Sequence, residues 1–170
     1  MLYRIHRSDR LPWWFSNDGS GRFDLLGEGE GTCYLAERPL GAFIEVFRTG
    51  TVIPEAEVRI RTLAQLRPPS ATTLADCTAT VARGYGVTGA IHSQPDYDRT
   101  CAWAQAFADA GFGGILYQLS HDPRGSELGI ALFGQSGEQP LPVEKTMPIP
   151  DEVLDEARRR FSLFVLPTPD

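Results

Sequence analysis

The pattern of apolar and polar residues along the chain predicts several short strands. Residues 2–6 alternate between apolar and polar side chains, which is typical of a strand with one buried face. Further strands are predicted at residues 32–36, 58–63, 114–118, 127–133 and 163–166. Residues 7–31 are rich in Gly, Ser, Asp and Asn and are predicted to form a loop, whereas residues 74–85 fit either a strand or a short helix.

The spacing of apolar residues also predicts three helices. From Pro39 to about residue 47, apolar side chains recur at 40, 43, 44 and 47, as on one helix face. A second helix is expected to follow an N-cap at Asp98 and to end at Gly111. A third is expected to follow an N-cap at Asp151, with the arginines at 158–160 near its end, where they match the helix dipole.

The interleaving of these elements indicates the fold class. Short strands and a few helices alternate along 170 residues, a length that suits one domain. We therefore expect a single α+β domain over residues 1–170, with a mixed sheet and flanking helices.

Composition and charge narrow the range of partners. Acidic residues exceed basic ones by six, which argues against nucleic acid or an anionic membrane as the main partner. No apolar run approaches the roughly 18 residues needed to span a bilayer. Residues 1–7 lack the features of a signal peptide, so a cytoplasmic location is expected.

The residues that bind metals are sparse and scattered. The three cysteines have no paired spacing, and the three histidines are far apart in the chain. Neither a disulfide framework nor a metal site is therefore predicted. His121 remains open as a general base or a solvated histidine of a turn.

Glu45 is unusual because it lies in an apolar part of the first predicted helix. A buried carboxylate needs a partner, and Arg22 in the preceding polar loop is the natural candidate. Tyr34 lies in the strand between the two in sequence. The residues alone leave two interpretations open, a functional site and a structural ion pair.

Three adjacent aromatic residues, Trp13, Trp14 and Phe15, interrupt the polar loop. Three neighbouring rings cannot all face one core. An exposed ring would cover a substrate or bind a segment of a partner, and the alternative is that the rings pack locally beneath the loop.

Several short motifs follow one another in a specific order along the chain. They are Leu2-Tyr-Arg-Ile, Gly21-Arg22-Phe23, Thr32-Cys-Tyr34-Leu-Ala-Glu, Leu40-Gly-Ala-Phe-Ile-Glu45 and Ala110-Gly-Phe-Gly-Gly-Ile-Leu-Tyr117, the last followed by Ser120. In this order and spacing the chain resembles the RES domain family over about residues 2 to 133. One departure is Phe23, which stands where the family usually has Trp.

The resemblance implies both a fold and an activity. The fold would have an ADP-ribosyltransferase-like core. The activity would be destruction of NAD by hydrolysis or phosphorolysis of the nicotinamide–ribose bond, with inorganic phosphate as a co-substrate and no cofactor. The protein would be the toxin of a bacterial toxin–antitoxin pair whose antitoxin is a helix-turn-helix protein.

The resemblance also implies roles for individual residues. Arg22, Glu45 and Ser120 would be catalytic, and Arg22, Tyr34 and Tyr117 would bind the substrate. Two alternatives stay open, a protein ADP-ribosyltransferase and a non-catalytic binding module on the same fold. The oligomeric state is open as well.

The position of Ser120 departs from the family pattern by one residue. Gln118 and Leu119 both lie between Tyr117 and the serine, where the family has one residue. A slip of one residue in a strand turns a side chain to the opposite face. We predict a β-bulge after Tyr117 that returns Ser120 to the site; without it, Leu119 would face the site instead.

Overall fold

A seven-stranded mixed sheet forms the centre of the computed structural model, which describes residues 1–68 and 72–167. In chain order the strands are β1 (Leu2–Arg7), β2 (Trp14–Phe15), β3 (Glu30–Ala36), β4 (Val52–Pro54), β5 (Arg61–Leu66), β6 (Leu74–Asp76), β7 (Gly114–Gln118), β8 (Leu128–Gln135), β9 (Gly137–Glu138), β10 (Val143–Pro148) and β11 (Phe164–Leu166). The large sheet has the order β10-β5-β1-β3-β8-β7-β6. Its neighbours are antiparallel except β6 and β7, which run parallel.

The helices are short and connect these strands. They are α1 (Pro39–Val46), α2 (Glu55–Arg59), α3 (Ala90–Ser93), α4 (Tyr97–Asp109) and α5 (Asp151–Phe161), with a 3-10 helix at Thr80–Tyr85. The predicted α+β fold with a mixed sheet and flanking helices is thus confirmed. None of the helices in the described ranges is long and apolar enough to span a membrane.

Helix α1 forms where the apolar spacing predicts it. Leu40, Phe43, Ile44 and Phe47 are all buried, and Pro39 occupies the first turn. The predicted N-caps of the other two long helices were each wrong by one or two positions. Asp96 caps α4 by accepting a hydrogen bond from the backbone N–H of Asp98, and Asp151 is the first residue inside α5 rather than its cap.

The strand predicted at residues 58–63 was wrong in its first half. Residues Glu55–Arg59 form α2, and β5 begins only at Arg61. Salt bridges from Arg59 to Glu55 and from Arg61 to Glu57, each spaced i,i+4, support this helical turn. The ambiguous segment at residues 74–85 contains both alternatives, with β6 followed by the 3-10 helix.

The sheet is covered on both faces. The helices pack on one face, around Phe23, Phe43 and Tyr117. Trp13 and Phe15 are buried on the opposite face in a second cluster, and the indole N–H of Trp13 donates to the carbonyl of Pro142. Trp14 between them is 43% exposed, so two of the three rings pack beneath the loop and one does not.

A buried carboxylate, Glu127, joins two helices to the sheet. It lies just before β8 and is completely buried. Its Oε1 accepts hydrogen bonds from Arg38, which precedes α1, and from Arg160 in α5, both at 2.8 Å. Glu156 in α5 contacts the same two arginines. We call these four residues the Glu127 cluster; it fixes the start of α1 against the end of the β7–β8 connection.

Candidate functional site

A cavity of about 200 Å³ gathers all five of the site residues named from the sequence. It is lined by Ser16, Ser20, Gly21, Arg22, Tyr34, Glu45, Arg48, Tyr97, Tyr117 and Ser120. A larger cavity of about 570 Å³ lies at the β6 edge of the sheet, between the 3-10 helix and α4. Its walls are mostly apolar and include none of the five, so we take the smaller cavity as the candidate site.

The two tyrosines reach the cavity because of strand register. Tyr34 of β3 pairs with Ala131 of β8, and Tyr117 of β7 pairs with Gly129. Positions two apart on β8 share a face, so both rings point to the side that carries the helices. Gly129 is required here, because a Cβ at that position would lie 2.6 Å from the Tyr117 ring.

The loop that carries Arg22 is organised by a buried carboxylate, Asp24. This side chain accepts hydrogen bonds from the backbone N–H groups of Gly19 and Gly21 and from the hydroxyl of Ser16. It also accepts the Tyr34 hydroxyl proton at 2.7 Å. Asp24 was not among the residues named from the sequence, because its partners are brought to it only by the folded loop.

The hydroxyl of Tyr34 is therefore hydrogen-bonded to the loop and is not free in the cavity. Its hydroxyl oxygen also accepts the backbone N–H of Phe23, the residue next to Arg22. A Cβ at Gly21 would collide with the Tyr34 hydroxyl and with Asp24, so only glycine fits there. Phe23 in turn packs edge-to-face on Tyr117, with 4.9 Å between the ring centroids.

Arg22 is held in the cavity by uncharged groups. Its Nη1 donates to the carbonyl of Gln94 at 2.6 Å, and its guanidinium lies 5.0 Å from the centroid of the Tyr97 ring. Among the residues that the structure describes, no carboxylate forms a salt bridge with Arg22. The cavity therefore contains a cation whose charge is not neutralised by an ion pair.

Glu45 does not pair with Arg22, contrary to the partner expected from the sequence. Its Oε1 instead accepts from Nη1 of Arg48 at 2.9 Å. Arg48 follows the end of α1 and lies on the same flank as Glu45, three residues away. The Glu45 side chain is 27% exposed and lines the cavity, so its carboxylate is accessible to a ligand.

The charges of the cavity act on the buried tyrosines. Burial raises the pKa of Tyr117 well above its usual value; the charge of Glu45 raises it further and that of Arg22 lowers it. Burial and the Asp24 carboxylate likewise raise the pKa of Tyr34. Both phenols are therefore neutral near pH 7, and the proton of Tyr34 is donated to Asp24.

Ser120 lies in the cavity, but the predicted β-bulge was wrong. The β7–β8 ladder keeps a regular register to the pair Gln118 and Leu128, and the N–H of Leu119 bonds to the carbonyl of Glu127. The strand then ends in a tight turn, closed by a hydrogen bond from the N–H of Asp122 to the carbonyl of Leu119. Ser120 is the second residue of this turn, where the alternation of a strand no longer applies, and Leu119 is buried in the core.

The remaining titratable residues do not form a metal centre in the described ranges. No group of three or more His, Cys, Asp or Glu side chains there is arranged to hold a metal ion. His92 is buried, and burial lowers the pKa of its imidazole.

Comparisons with known proteins agree on family and fold. Residues 1–154 match the family model of the RES domain. The fold is similar to that of a chain in the crystal structure of the M. tuberculosis MbcT–MbcA toxin–antitoxin complex, with a TM-score of 0.67 and 16% identity, over 93% of this chain and 88% of that chain. No curated protein matches the sequence. At 16% identity the structural likeness shows the fold alone.

Proposed function

The chain belongs to the RES domain family, and on that premise we propose that it is the toxin of a toxin–antitoxin pair and acts by cleaving the nicotinamide–ribose bond of cytoplasmic NAD. The observation that carries the proposal is that a positive and a negative side chain line one cavity without forming an ion pair with each other. Arg22 offers a cation without a carboxylate partner, and Glu45 offers an accessible carboxylate. NAD needs both, because it carries a diphosphate and a cationic glycosidic bond.

Arg22 would bind the diphosphate. A guanidinium presents a planar fork of N–H donors that suits two phosphate oxygens at once. One of its N–H groups is used by the Gln94 carbonyl and the ring of Tyr97 supports its face, so the guanidinium is oriented before the substrate arrives.

Glu45 would act on the sugar. Loss of nicotinamide develops oxocarbenium-like charge on the ribose, which a nearby carboxylate stabilises, as in glycosidases. The nicotinamide ring of NAD is already cationic and leaves as a neutral molecule. No general acid is therefore needed, and a site with one carboxylate and no acid–base pair is sufficient.

The remaining residues would shape the nicotinamide riboside end. The cavity, at about 200 Å³, is smaller than the roughly 300–1,000 Å³ that encloses a whole drug-sized ligand, so it would not enclose the whole of NAD. Tyr34 and Tyr117 would form walls for the nicotinamide and ribose rings. The Ser120 hydroxyl would lie near the acceptor, which is water or inorganic phosphate.

Incubation of the purified protein with NAD, with and without inorganic phosphate, tests the activity. We expect free nicotinamide together with ADP-ribose or ADP-ribose 1-phosphate. Glu45→Gln should abolish nicotinamide release. Glu55→Gln is the matched control, because Glu55 also forms a salt bridge with an arginine one turn away but lies outside the cavity.

Other products would support the alternatives. Transfer of labelled ADP-ribose to protein would identify a protein ADP-ribosyltransferase. Absence of turnover under every condition would favour a non-catalytic binding module.

The toxin role has a separate test in living cells. Induced expression in a bacterium should lower cellular NAD and stop growth, whereas Glu45→Gln should do neither. Co-expression of a helix-turn-helix protein encoded beside this chain should restore growth. Growth arrest that persists in Glu45→Gln would show that the toxicity does not depend on the proposed cleavage of NAD.

A further inference from the structure

A second cavity lies at the β6 end of the large sheet, apart from the candidate site. It has a volume of about 570 Å³, within the roughly 300–1,000 Å³ of sites that enclose a small molecule. Strand β6, the 3-10 helix and α4 provide most of its walls. The described residues that line it and those that line the candidate site do not overlap, so the two cavities are separate. We call this space the β6 cavity.

Aromatic rings form much of the wall of the β6 cavity. Trp103 and Phe107 of α4 stack with 5.5 Å between their ring centroids, and Phe112 meets Phe107 edge-to-face at 5.9 Å. Tyr85 of the 3-10 helix contributes a fourth ring. The faces of such rings attract apolar groups and organic cations alike. Small side chains keep the space between the rings open, namely Ala75, Ala79, Ala82, Ala106 and Ala110.

The 3-10 helix on one side of the β6 cavity has little packing of its own. None of the residues Thr80–Tyr85 is buried. Val81 and Tyr85 line the cavity and are nevertheless largely exposed. Exposed apolar side chains around a cavity are typical of a binding site, because a ligand there removes them from water.

Asp76 is the one charged side chain among the described residues that line the β6 cavity. Its Oδ1 accepts hydrogen bonds from the backbone N–H groups of Thr78 and Ala79 and from the Thr78 hydroxyl. The hydrogen bond from the Thr78 side chain lowers the pKa of Asp76, so the carboxylate is charged at neutral pH. Across residues 1–68 and 72–167 no basic side chain forms a salt bridge with it. The carboxylate is therefore held in place without being neutralised.

This charge selects among classes of ligand. A nucleotide or another phosphate ester needs cationic partners, and no Lys, Arg or His is among the described residues of the wall. A neutral apolar molecule would fill the space but would leave Asp76 without a partner. A molecule that joins an ammonium group to an apolar ring system satisfies both the carboxylate and the aromatic wall.

We propose that the β6 cavity is a binding site for an organic cation, a small molecule with an apolar ring system and one ammonium group. The ring system lies against Trp103 and Phe107, and the ammonium group pairs with Asp76. This ligand site is additional to the function proposed for the candidate cavity and does not depend on it.

Three naphthalene probes that share a ring system and differ in charge test the class of ligand. At neutral pH 2-naphthylmethylamine is a cation, 2-naphthylmethanol is uncharged and 2-naphthoate is an anion. Calorimetric titration of the purified protein should give the lowest Kd for the amine. The Kd of the alcohol should be about three- to fivefold higher, the contribution of an exposed ion pair, and that of the naphthoate should be higher still.

A substitution on α4 tests the location. Ala106 lines the β6 cavity and is exposed, so Ala106→Trp places an indole in the cavity without disturbing the core. The Kd of the amine and of the alcohol should each rise at least about tenfold, because the space is already filled. Ala102→Trp is the matched control, an exposed alanine one turn earlier on the same helix that does not line the cavity. It should bind the probes as the unmodified protein does.

Asp76→Asn tests the charge. Asparagine retains an Oδ1 that accepts the same hydrogen bonds, so the turn is kept while the charge is removed. The Kd of the amine should rise about three- to fivefold, to the value for the alcohol, and the Kd of the alcohol should not change. Asp109→Asn is the control, since Asp109 is exposed on α4 and does not line the cavity.

Several outcomes would overturn the proposal. They are equal Kd values for the three probes, no binding of any probe at millimolar concentration, and equal binding by Ala106→Trp and Ala102→Trp. A second copy of this chain is the alternative occupant, and sedimentation velocity without probe detects it. A dimer that Ala106→Trp dissociates and Ala102→Trp does not would assign the β6 cavity to a second copy. A monomer that binds the probes in the order of their charge supports the organic cation.

Discussion

At the scale of single residues, Arg22 shows how a charge is kept available. Its guanidinium is fixed by the Gln94 carbonyl and the Tyr97 ring, which orient it without neutralising it. A carboxylate partner would have competed with any anionic ligand. Glu45 is paired with a different arginine, so each of the two charges remains separately accessible from the cavity.

Arg22→Gln should therefore weaken NAD binding more than it affects folding. Hydrogen bonds to a charged group contribute about 1.5–3 kcal/mol, which corresponds to roughly 10- to 150-fold in kcat/KM. We expect most of this change in KM, with little change in melting temperature, because the arginine makes one hydrogen bond to the protein. Steady-state kinetics and thermal unfolding measure both.

Arg99→Gln is the control for this prediction, since Arg99 is exposed on α4, two residues beyond Tyr97. An unchanged KM in Arg22→Gln would contradict the proposed phosphate contact. A large fall in melting temperature with unchanged kinetics would instead identify Arg22 as a structural residue.

The hydroxyl of Tyr34 should make stability depend on pH in alkaline solution. The unfolded phenol ionises near pH 10, whereas burial and Asp24 raise the folded pKa above that value. The stabilisation is therefore complete below about pH 10 and is lost as pH rises toward the folded pKa. Over that range each such group lowers the free energy of unfolding by about 1.4 kcal/mol per pH unit.

Tyr34→Phe should reduce this slope, with urea unfolding between pH 9 and 11 as the measurement. Tyr117, whose pKa is also raised by burial, retains its own contribution in that variant. Tyr85→Phe is the control, because Tyr85 is 77% exposed. Equal slopes in Tyr34→Phe and the unmodified protein would show that Tyr34 ionises normally in the folded state.

Single residues also show the limits of prediction from sequence. Arg22, Tyr34, Glu45, Tyr117 and Ser120 were all named from motif order, and all line one cavity. Asp24 was missed because its partners come near it only in the folded loop. Arg48 was missed although it lies three residues after Glu45, the spacing of an ion pair on one side of a helix.

At the scale of elements, the end of β7 decides which side chain faces the cavity. The alternation rule correctly indicates that Tyr117 and Leu119 share the helix-bearing side of the sheet. It fails for Ser120, because the ladder ends with Leu119 and a turn begins. The β-bulge was predicted from strand geometry, whereas Ser120 lies in a turn.

The Glu127 cluster should act as one unit. Removal of either Arg38 or Arg160 leaves the buried carboxylate with one cation, whereas removal of both leaves it with none. We expect Arg38→Gln/Arg160→Gln to lower the free energy of unfolding by about 3–5 kcal/mol, the usual effect of an uncompensated buried charge. The loss should exceed the sum of the two single losses.

Urea denaturation of the four proteins in this double-mutant cycle provides the measurement. Addition of Glu127→Gln to the double variant should recover part of the stability, because the unpaired charge is then gone. Strict additivity, or no recovery, would mean that solvent compensates Glu127 once the arginines are removed.

At the scale of the whole molecule, the sheet has two covered faces, and each has its own cluster of buried residues. The loop that carries Arg22 is part of the cover on the second face, through Trp13 and Phe15.

The overall fold class was predictable from the sequence, since strand and helix periodicities give an α+β order. The second face was not, because residues 7–31 have the composition of a polar loop and nothing in the sequence indicates that Trp13 and Phe15 pack against the sheet.

Trp13 and Trp14 offer an internal comparison for this second face. Trp13→Ala should cost about 3–5 kcal/mol in unfolding free energy, since the side chain is completely buried and its N–H bonds to Pro142. Trp14→Ala should change it by no more than about 0.5 kcal/mol, because that ring is 43% exposed. Denaturant unfolding measures the loss of unfolding free energy in both variants. Similar losses in the two variants would contradict the burial of Trp13 in a packed cluster on the second face.

The place of Trp14 also bears on the partner expected for this loop. Its ring does not line the candidate cavity, so it is not positioned to cover a substrate there. Contact with a partner protein stays a prediction for this residue.

The position of β8 in the sheet has a consequence for how the protein is synthesised. One half of the cavity comes from residues 16–48 and the other from residues 97–120, and β8 is the strand that lies between β3 and β7 to join them. A nascent chain that has not yet delivered Leu128–Gln135 from the ribosome therefore has both halves but no means of aligning them. The order of strands delays assembly of the cavity until all of β8 has been translated and has left the ribosome, so a product of translation that is interrupted between Ser120 and β8 carries the site residues without the site.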